Sequence, residues 1–157
     1  MKARTVVLTT ALCIIGIGVC FAQKSQKSLM GTWKLNEAKS KLAAGAAKNN
    51  TVVYETAGDD IKVTIDGTDA AGSPTHSEWT GKFDGKDYPV TGDPNSDTRS
   101  YEPRTAHKTG FTGKKDKKVT ISGTIILSTD GKSRTVLTSG TDAQGKKFKS
   151  TALYDKQ

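Results

Sequence analysis

From about position 30 onward the chain is punctuated by turn-forming residues at roughly ten-residue intervals, and the apolar residues between the breaks fall on alternate positions. Ile61, Val63 and Ile65, separated by Lys62 and Thr64, show the alternation most clearly. A period of two buries one face of a strand and leaves no stripe for a helix. The pattern predicts strands over 31–36, 52–56, 61–65, 75–83, 86–90, 98–102, 106–112, 119–128, 134–139 and 146–155. Asp66-Gly67, Asp84-Gly85 and Asp130-Gly131 sit between β-rich runs and supply the positive φ of tight hairpins. Gly123 marks a bend or bulge inside the longest run. Residues 37–50 are rich in alanine and lysine, and 38–43 predict one or two helical turns before Gly45 interrupts them. No long amphipathic helix interleaves the strands, so a parallel α/β sheet is not expected. The expected fold is all-β: a single antiparallel up-and-down β-barrel of roughly eight to ten strands.

The barrel is expected behind an export signal. Lys2 and Arg4 form a basic start, 6–19 is apolar, and Cys20-Phe21-Ala22 ends in the small residues that a signal peptidase reads. The apolar run is too short for a spanning helix. Acylation at Cys20 is the competing processing route, and Val19 is bulkier than such a site accepts. The domains are therefore a signal peptide at 1–22, a polar leader at 23–29 and the barrel at 30–157, in a periplasmic or secreted protein. Both cysteines, Cys13 and Cys20, leave with the signal. Core burial and the closed sheet then have to hold an exported domain that has no disulfide.

Lys and Arg number 24 against 16 acidic residues, a net charge of +8. The excess is concentrated in Lys114, Lys115, Lys117 and Lys118, around Asp116, and in Lys146, Lys147 and Lys149. Two readings stay open: attraction to an anionic envelope surface, or solvated hairpin turns. The aromatic interleaving of a nucleic-acid platform is absent.

The chain also echoes itself. Gly67-Thr68-Asp69-Ala70-Ala71-Gly72 recurs as Gly140-Thr141-Asp142-Ala143-Gln144-Gly145. At the same offset Thr51-Val52-Val53-Tyr54 meets Thr124-Ile125-Ile126-Leu127, and Gly58 meets Gly131. One three-stranded meander used twice accounts for this, as does convergence of similar hairpins on similar turn residues. Both segments are expected to share a topology.

Strand parity selects the interior. Trp33, Leu35, Val52, Tyr54, Ile61, Val63, Ile65, Trp79, Phe83, Val119, Ile121, Ile125, Leu127, Phe148, Ala152 and Tyr154 are expected inside. Polar residues of the same parity then become candidates for holding a ligand. Arg134 shares a face with Val136, Arg99 with Tyr101, and His107 and Thr109 with Phe111. Arg134, Arg99, His107, Tyr101, Tyr54 and Tyr154 are the candidate ligand-binding residues, with Trp33 as a structural residue at the barrel end. A cation inside an apolar barrel needs an acid, a water or the anionic group of a ligand. The other reading places these residues at strand ends, with their heads in solvent.

Catalytic constellations are hard to assemble from this chain. The mature part has no cysteine and only His76 and His107, and it contains no G-x-S-x-G, glycine-rich phosphate loop or H-E-x-x-H. His76 and Glu78 share a strand face but are too few for a metal site. Asp93-Pro94-Asn95-Ser96-Asp97 starts like a calcium loop, but Thr98 replaces the needed glycine and Arg104 the closing glutamate. The expectation is a protein that is no enzyme and uses no cofactor or metal.

Gly31-Thr32-Trp33-Lys34-Leu35-Asn36, Asp84-Gly85-Lys86-Asp87-Tyr88-Pro89-Val90-Thr91-Gly92, Gly140-Thr141-Asp142-Ala143 and the ending Tyr154-Asp155-Lys156 resemble a family of small exported bacterial proteins described as lipocalin-like. The opening is more distantly similar to lipocalins and fatty-acid-binding proteins. That resemblance implies a Trp33 at the closed end of the barrel and a basic residue against it. Fatty-acid-binding proteins often carry an Arg-x-Tyr near the C-terminus. Tyr154 matches its tyrosine, and Ala152 stands where its arginine would be. The function expected is a binding module for a small apolar or amphipathic molecule, with no nucleic acid partner and no transmembrane segment after cleavage. The alternative is an envelope structural or interaction protein whose barrel is filled by its own side chains.

Overall fold

Strands with one apolar face, with no long helix among the described residues to cover them, bury those faces against one another. The computed structural model of the protein describes residues 27–44, 46–141 and 145–157. The expected signal peptide and most of the leader lie outside the described residues. Ten strands follow in order: β1 (Gly31–Leu35), β2 (Lys48–Ala57), β3 (Asp60–Thr68), β4 (Pro74–Gly81), β5 (Tyr88–Thr91), β6 (Thr98–Thr105), β7 (Lys108–Lys115), β8 (Lys118–Leu127), β9 (Ser133–Thr141) and β10 (Lys147–Lys156). Each pairs antiparallel with its chain neighbours, and β10 pairs with β1 to close an all-β, up-and-down barrel. Closure removes the unpaired edges that an open sheet would expose. At the seam Trp33 stands opposite Lys156 and Leu35 opposite Tyr154.

The helical turns expected at 38–43 are replaced by one 3-10 turn, Glu37–Lys39, capped where the Lys39 N–H donates to the Asn36 side chain at 3.2 Å. Lys41 and Thr151 then exchange backbone hydrogen bonds of 2.7 and 2.8 Å. Pairing with β10 takes the backbone groups that a longer helix would have used. The hairpin expected at Asp66-Gly67 also moves, because both residues lie inside β3. A Cβ on Gly67 would fall on the Lys48 carbonyl oxygen, so the glycine answers a close backbone approach. The turn itself comes at 69–73, where Asp69 accepts the Ala71 and Ser73 N–H groups, both at 2.8 Å.

The β7–β8 pairing explains two further departures. Gly123 pairs in register with Phe111, without the expected bulge. A Cβ there would meet the Leu137 carbonyl and the Phe111 ring. The irregularity falls instead at Thr120, since Gly113 pairs with Ile121 but Lys114 pairs with Val119. The extra residue reverses the facing of what precedes it. Val119, expected inside, is 59% exposed.

The echo has a backbone counterpart. Gly58 and Gly131 have φ of 63° and 69°, and Gly72 and Gly145 have 85° and 79°. Gly67 and Gly140 would each place a Cβ against a carbonyl of the preceding strand. The segments β2–β3–β4 and β8–β9–β10 have the same topology.

The two barrel ends differ. At the end where β1 starts, Leu29 is fully buried and its carbonyl accepts the Trp33 indole N–H at 2.8 Å. The core therefore takes in a residue assigned to the leader. Toward the opposite end, or mouth, the inward-facing Phe111, Ile121, Val136, Thr138, Phe148 and Ser150 are half-buried.

Candidate functional site

The interior polar residues form one cluster. Tyr54 on β2, Arg99 and Tyr101 on β6, Arg134 on β9 and Tyr154 on β10 are all buried. Each sits on the inward parity of its strand, among Trp33, Trp79 and Phe83. Strand alternation delivers each residue separately, and barrel closure brings them together. Five of the six candidate ligand-binding residues thus share the interior.

Arg134 is the centre of this cluster. Its Nη1 donates to the Tyr54 hydroxyl at 2.9 Å. Its guanidinium carbon lies 4.7 Å from the Tyr154 ring centroid, 4.9 Å from that of Trp33 and 5.1 Å from that of Tyr54. Cation–π contacts of this kind contribute about 0.5–2 kcal/mol each. Among the described residues no carboxylate pairs with it, and its Nε has no hydrogen-bond partner. A buried guanidinium without an anion is the costly arrangement. Lys156 also stands over the Trp33 ring, at 5.2 Å, so two cations meet the tryptophan at the closed end.

Arg99 is held differently. Its Nη2 donates to Asp93 Oδ2 at 2.7 Å, in an ion pair largely removed from solvent. Burial works against the charge, but Tyr101 and Asp93 outweigh it and raise the Arg99 pKa above its ordinary value. Its Nε, like the Ser96 hydroxyl, lacks a partner. The sequence reading missed Asp93 as a partner for Arg99 because the run 93–97 imitates a calcium loop. In fact the Asp93 carboxylate is already committed, to Arg99 and, at 2.9 Å, to the Asn95 N–H. Asp97 accepts the Asp116 N–H at 3.0 Å.

The tyrosines respond to this surrounding. Burial pushes the Tyr101 phenol up to about 12, against the opposing pull of Arg99. Burial does the same to Tyr154, also to about 12, with Arg134 opposing it. Tyr101 stacks on Phe83 with centroids 4.8 Å apart and meets Trp79 edge-on at 4.8 Å. The Trp79 indole N–H donates to the Arg99 carbonyl at 2.8 Å.

His107 does not join the cluster. It is exposed in the turn between β6 and β7, where its N–H donates to Thr105 Oγ1 at 3.3 Å. The strand expected at 106–112 begins two residues later, so parity with Phe111 does not reach it; Thr109 takes the buried place. His76 lies on the outer face, with Nδ1 2.7 Å from Asp66 and Nε2 3.7 Å from Glu78. The Asp66 hydrogen bond raises the His76 pKa, while the hydrogen bond from Lys62 lowers that of Glu78. Among the described residues no group of three or more His, Cys, Asp or Glu could hold a metal ion, and no helix is long and apolar enough to cross a membrane.

No protein-family model matches the chain, nor does any curated protein. Solved structures do resemble it. EF1p2_mFAP2b, determined bound to DFHBI, is 9% identical with a TM-score of 0.50, over 87% of this chain and 99% of that one. The redesigned β-barrel mFAP1, also bound to DFHBI, is 14% identical with a TM-score of 0.45, over 85% and 99%. A de novo designed fluorescence-activating β-barrel is 13% identical with a TM-score of 0.48, over 85% and 98%. At these identities the likeness concerns the fold alone.

Proposed function

We propose that the protein is an exported binding module that holds a small amphipathic molecule in its barrel, apolar part toward the mouth and anionic end toward Arg134. The reading assigns it no catalytic step. The observation that carries it is Arg134 itself: a buried cation with an orphaned Nε donor and no carboxylate among the described residues. A ligand carboxylate or sulfonate is the kind of group that offsets such a charge. Apolar burial would drive the rest, at about 25 cal/mol per Å². The sequence resemblance to exported lipocalin-like proteins and the DFHBI-bound barrel of similar fold agree with this reading.

A second reading rests on the packing around the same arginine. Three aromatic rings and a hydroxyl already surround it, as expected of a self-filled barrel with an envelope role. Two dyes separate the readings: anilinonaphthalene sulfonate, which is anionic, and Nile red, which is neutral. A binding module takes up both, and Arg134→Met selectively loses about tenfold or more of the sulfonate affinity, since a charge-assisted hydrogen bond contributes about 1.5–3 kcal/mol. Natively purified protein that yields no extractable lipid and admits neither dye establishes the self-filled barrel instead.

A further inference from the structure

The two lysine clusters seen in the sequence come together at one end of the barrel. Lys115, Lys117 and Lys118 surround the β7–β8 turn, and Lys147 and Lys149 start β10. The end of β7 and the starts of β8 and β10 lie at the mouth, and β8 and β9 run side by side between β7 and β10. All five lysines are exposed, and none makes an ion pair among the described residues. Lys114 differs, being paired with Asp87 at 2.6 Å. Among the described residues the acidic groups beside the five are Asp116 and Asp97, which are themselves joined through the Asp116 N–H. The chain turns there without glycine: Asp116 and Lys117 both take positive φ, 49° and 64°. This tight two-residue turn keeps the backbone of the lysines around it at the rim.

An apolar element lies within this basic rim. Val119 is turned outward by the Thr120 irregularity and is the most exposed large hydrophobic residue of the described chain. It lines a depression of about 480 Å³ at the mouth ends of β8, β9 and β10, together with Ile121, Phe148, Lys147 and Lys149. Leu137, 42% exposed, lies further along the outer face of β9. Solvation alone explains lysines on a rim, but it does not explain a valine turned out among them.

We propose that this rim, Lys115, Lys117, Lys118, Lys147 and Lys149 around Val119, docks the mouth of the barrel onto an anionic lipid bilayer. Lysine ammoniums meet the headgroup phosphates, and Val119 enters the boundary between headgroups and acyl chains. A soluble polyanion would use the lysines but gain nothing from the valine. Docking does not depend on what the barrel holds, so it can fail while binding survives, and the reverse.

The test is co-sedimentation of the purified protein with phosphatidylcholine vesicles, with and without phosphatidylglycerol. Binding is expected only to the anionic vesicles and weakens as salt is raised. Each of the five lysines changed to glutamine lowers the partition coefficient about fivefold. Val119→Ser lowers it with the charge intact, while Lys82→Gln and Lys132→Gln, in turns at the other end, leave it unchanged. Circular dichroism checks the fold of each variant. Equal binding to neutral vesicles, no binding at low salt, or equal sensitivity to Lys82 and Lys132 overturns the proposal. So does competition by heparin combined with indifference to Val119→Ser, which would assign the lysines to a polyanion.

Discussion

Among single residues, Leu29 shows how far local reading reaches. It follows a polar run, Gln23 to Ser28, and only Met30 beside it is apolar, so no alternation marks it as core. In the fold it is fully buried and gives its carbonyl to the Trp33 indole N–H. Leu29→Ala should therefore lower stability by about 2–5 kcal/mol, the range for a large-to-small change in a packed core. Chemical denaturation measures this, and an unchanged midpoint would return Leu29 to the leader. Arg134 is the opposite case. Parity with Val136 made it a candidate for the interior, with a strand end in solvent as the other reading, and in the fold it is buried. Its surroundings were not legible, because Trp33, Tyr54 and Tyr154 reach it from three other strands. His107 failed for a local reason: parity holds only within a strand, and it sits in a turn.

At the scale of elements, all ten runs read from the sequence correspond to strands, with shifted ends. Alternation and turn chemistry are local, so they survive without knowledge of partners. Glycines were harder to read, since one residue type serves two needs. Gly85 and Gly131 occupy positive-φ turns, at 79° and 69°. Gly67 and Gly123 instead make room for a neighbouring strand. For Gly123 the distinction is testable. If its Cβ position were open, alanine would be tolerated. Because its Cβ would meet the Leu137 carbonyl and the Phe111 ring, Gly123→Ala should cost about 1–3 kcal/mol through overpacking. Thermal unfolding of that variant decides it. The outward turn of Val119 was likewise unreadable, because the irregularity belongs to the pairing of β7 with β8.

At the scale of the molecule, closure seals phenols and guanidinium groups in one interior. In the folded state the Tyr101 and Tyr154 phenols ionise at about 12, while in an unfolded chain tyrosine ionises near 10. The unfolded state therefore loses these protons first. Their contribution to stability is complete below about pH 10 and disappears as pH rises through about 12. Ultraviolet titration should show these two phenolates forming late, together with unfolding. Ionisation of both near 10 in a protein still folded would mean that water fills the interior. The sequence by itself determined the strands, their approximate number and which face of each is apolar, because these follow from side-chain period and turn chemistry within a few residues. Only the tertiary structure decided which end is sealed, which buried arginine has an acid beside it and where the lysines gather. Those outcomes depend on register and closure, which join residues far apart in the chain through contacts that no local pattern encodes.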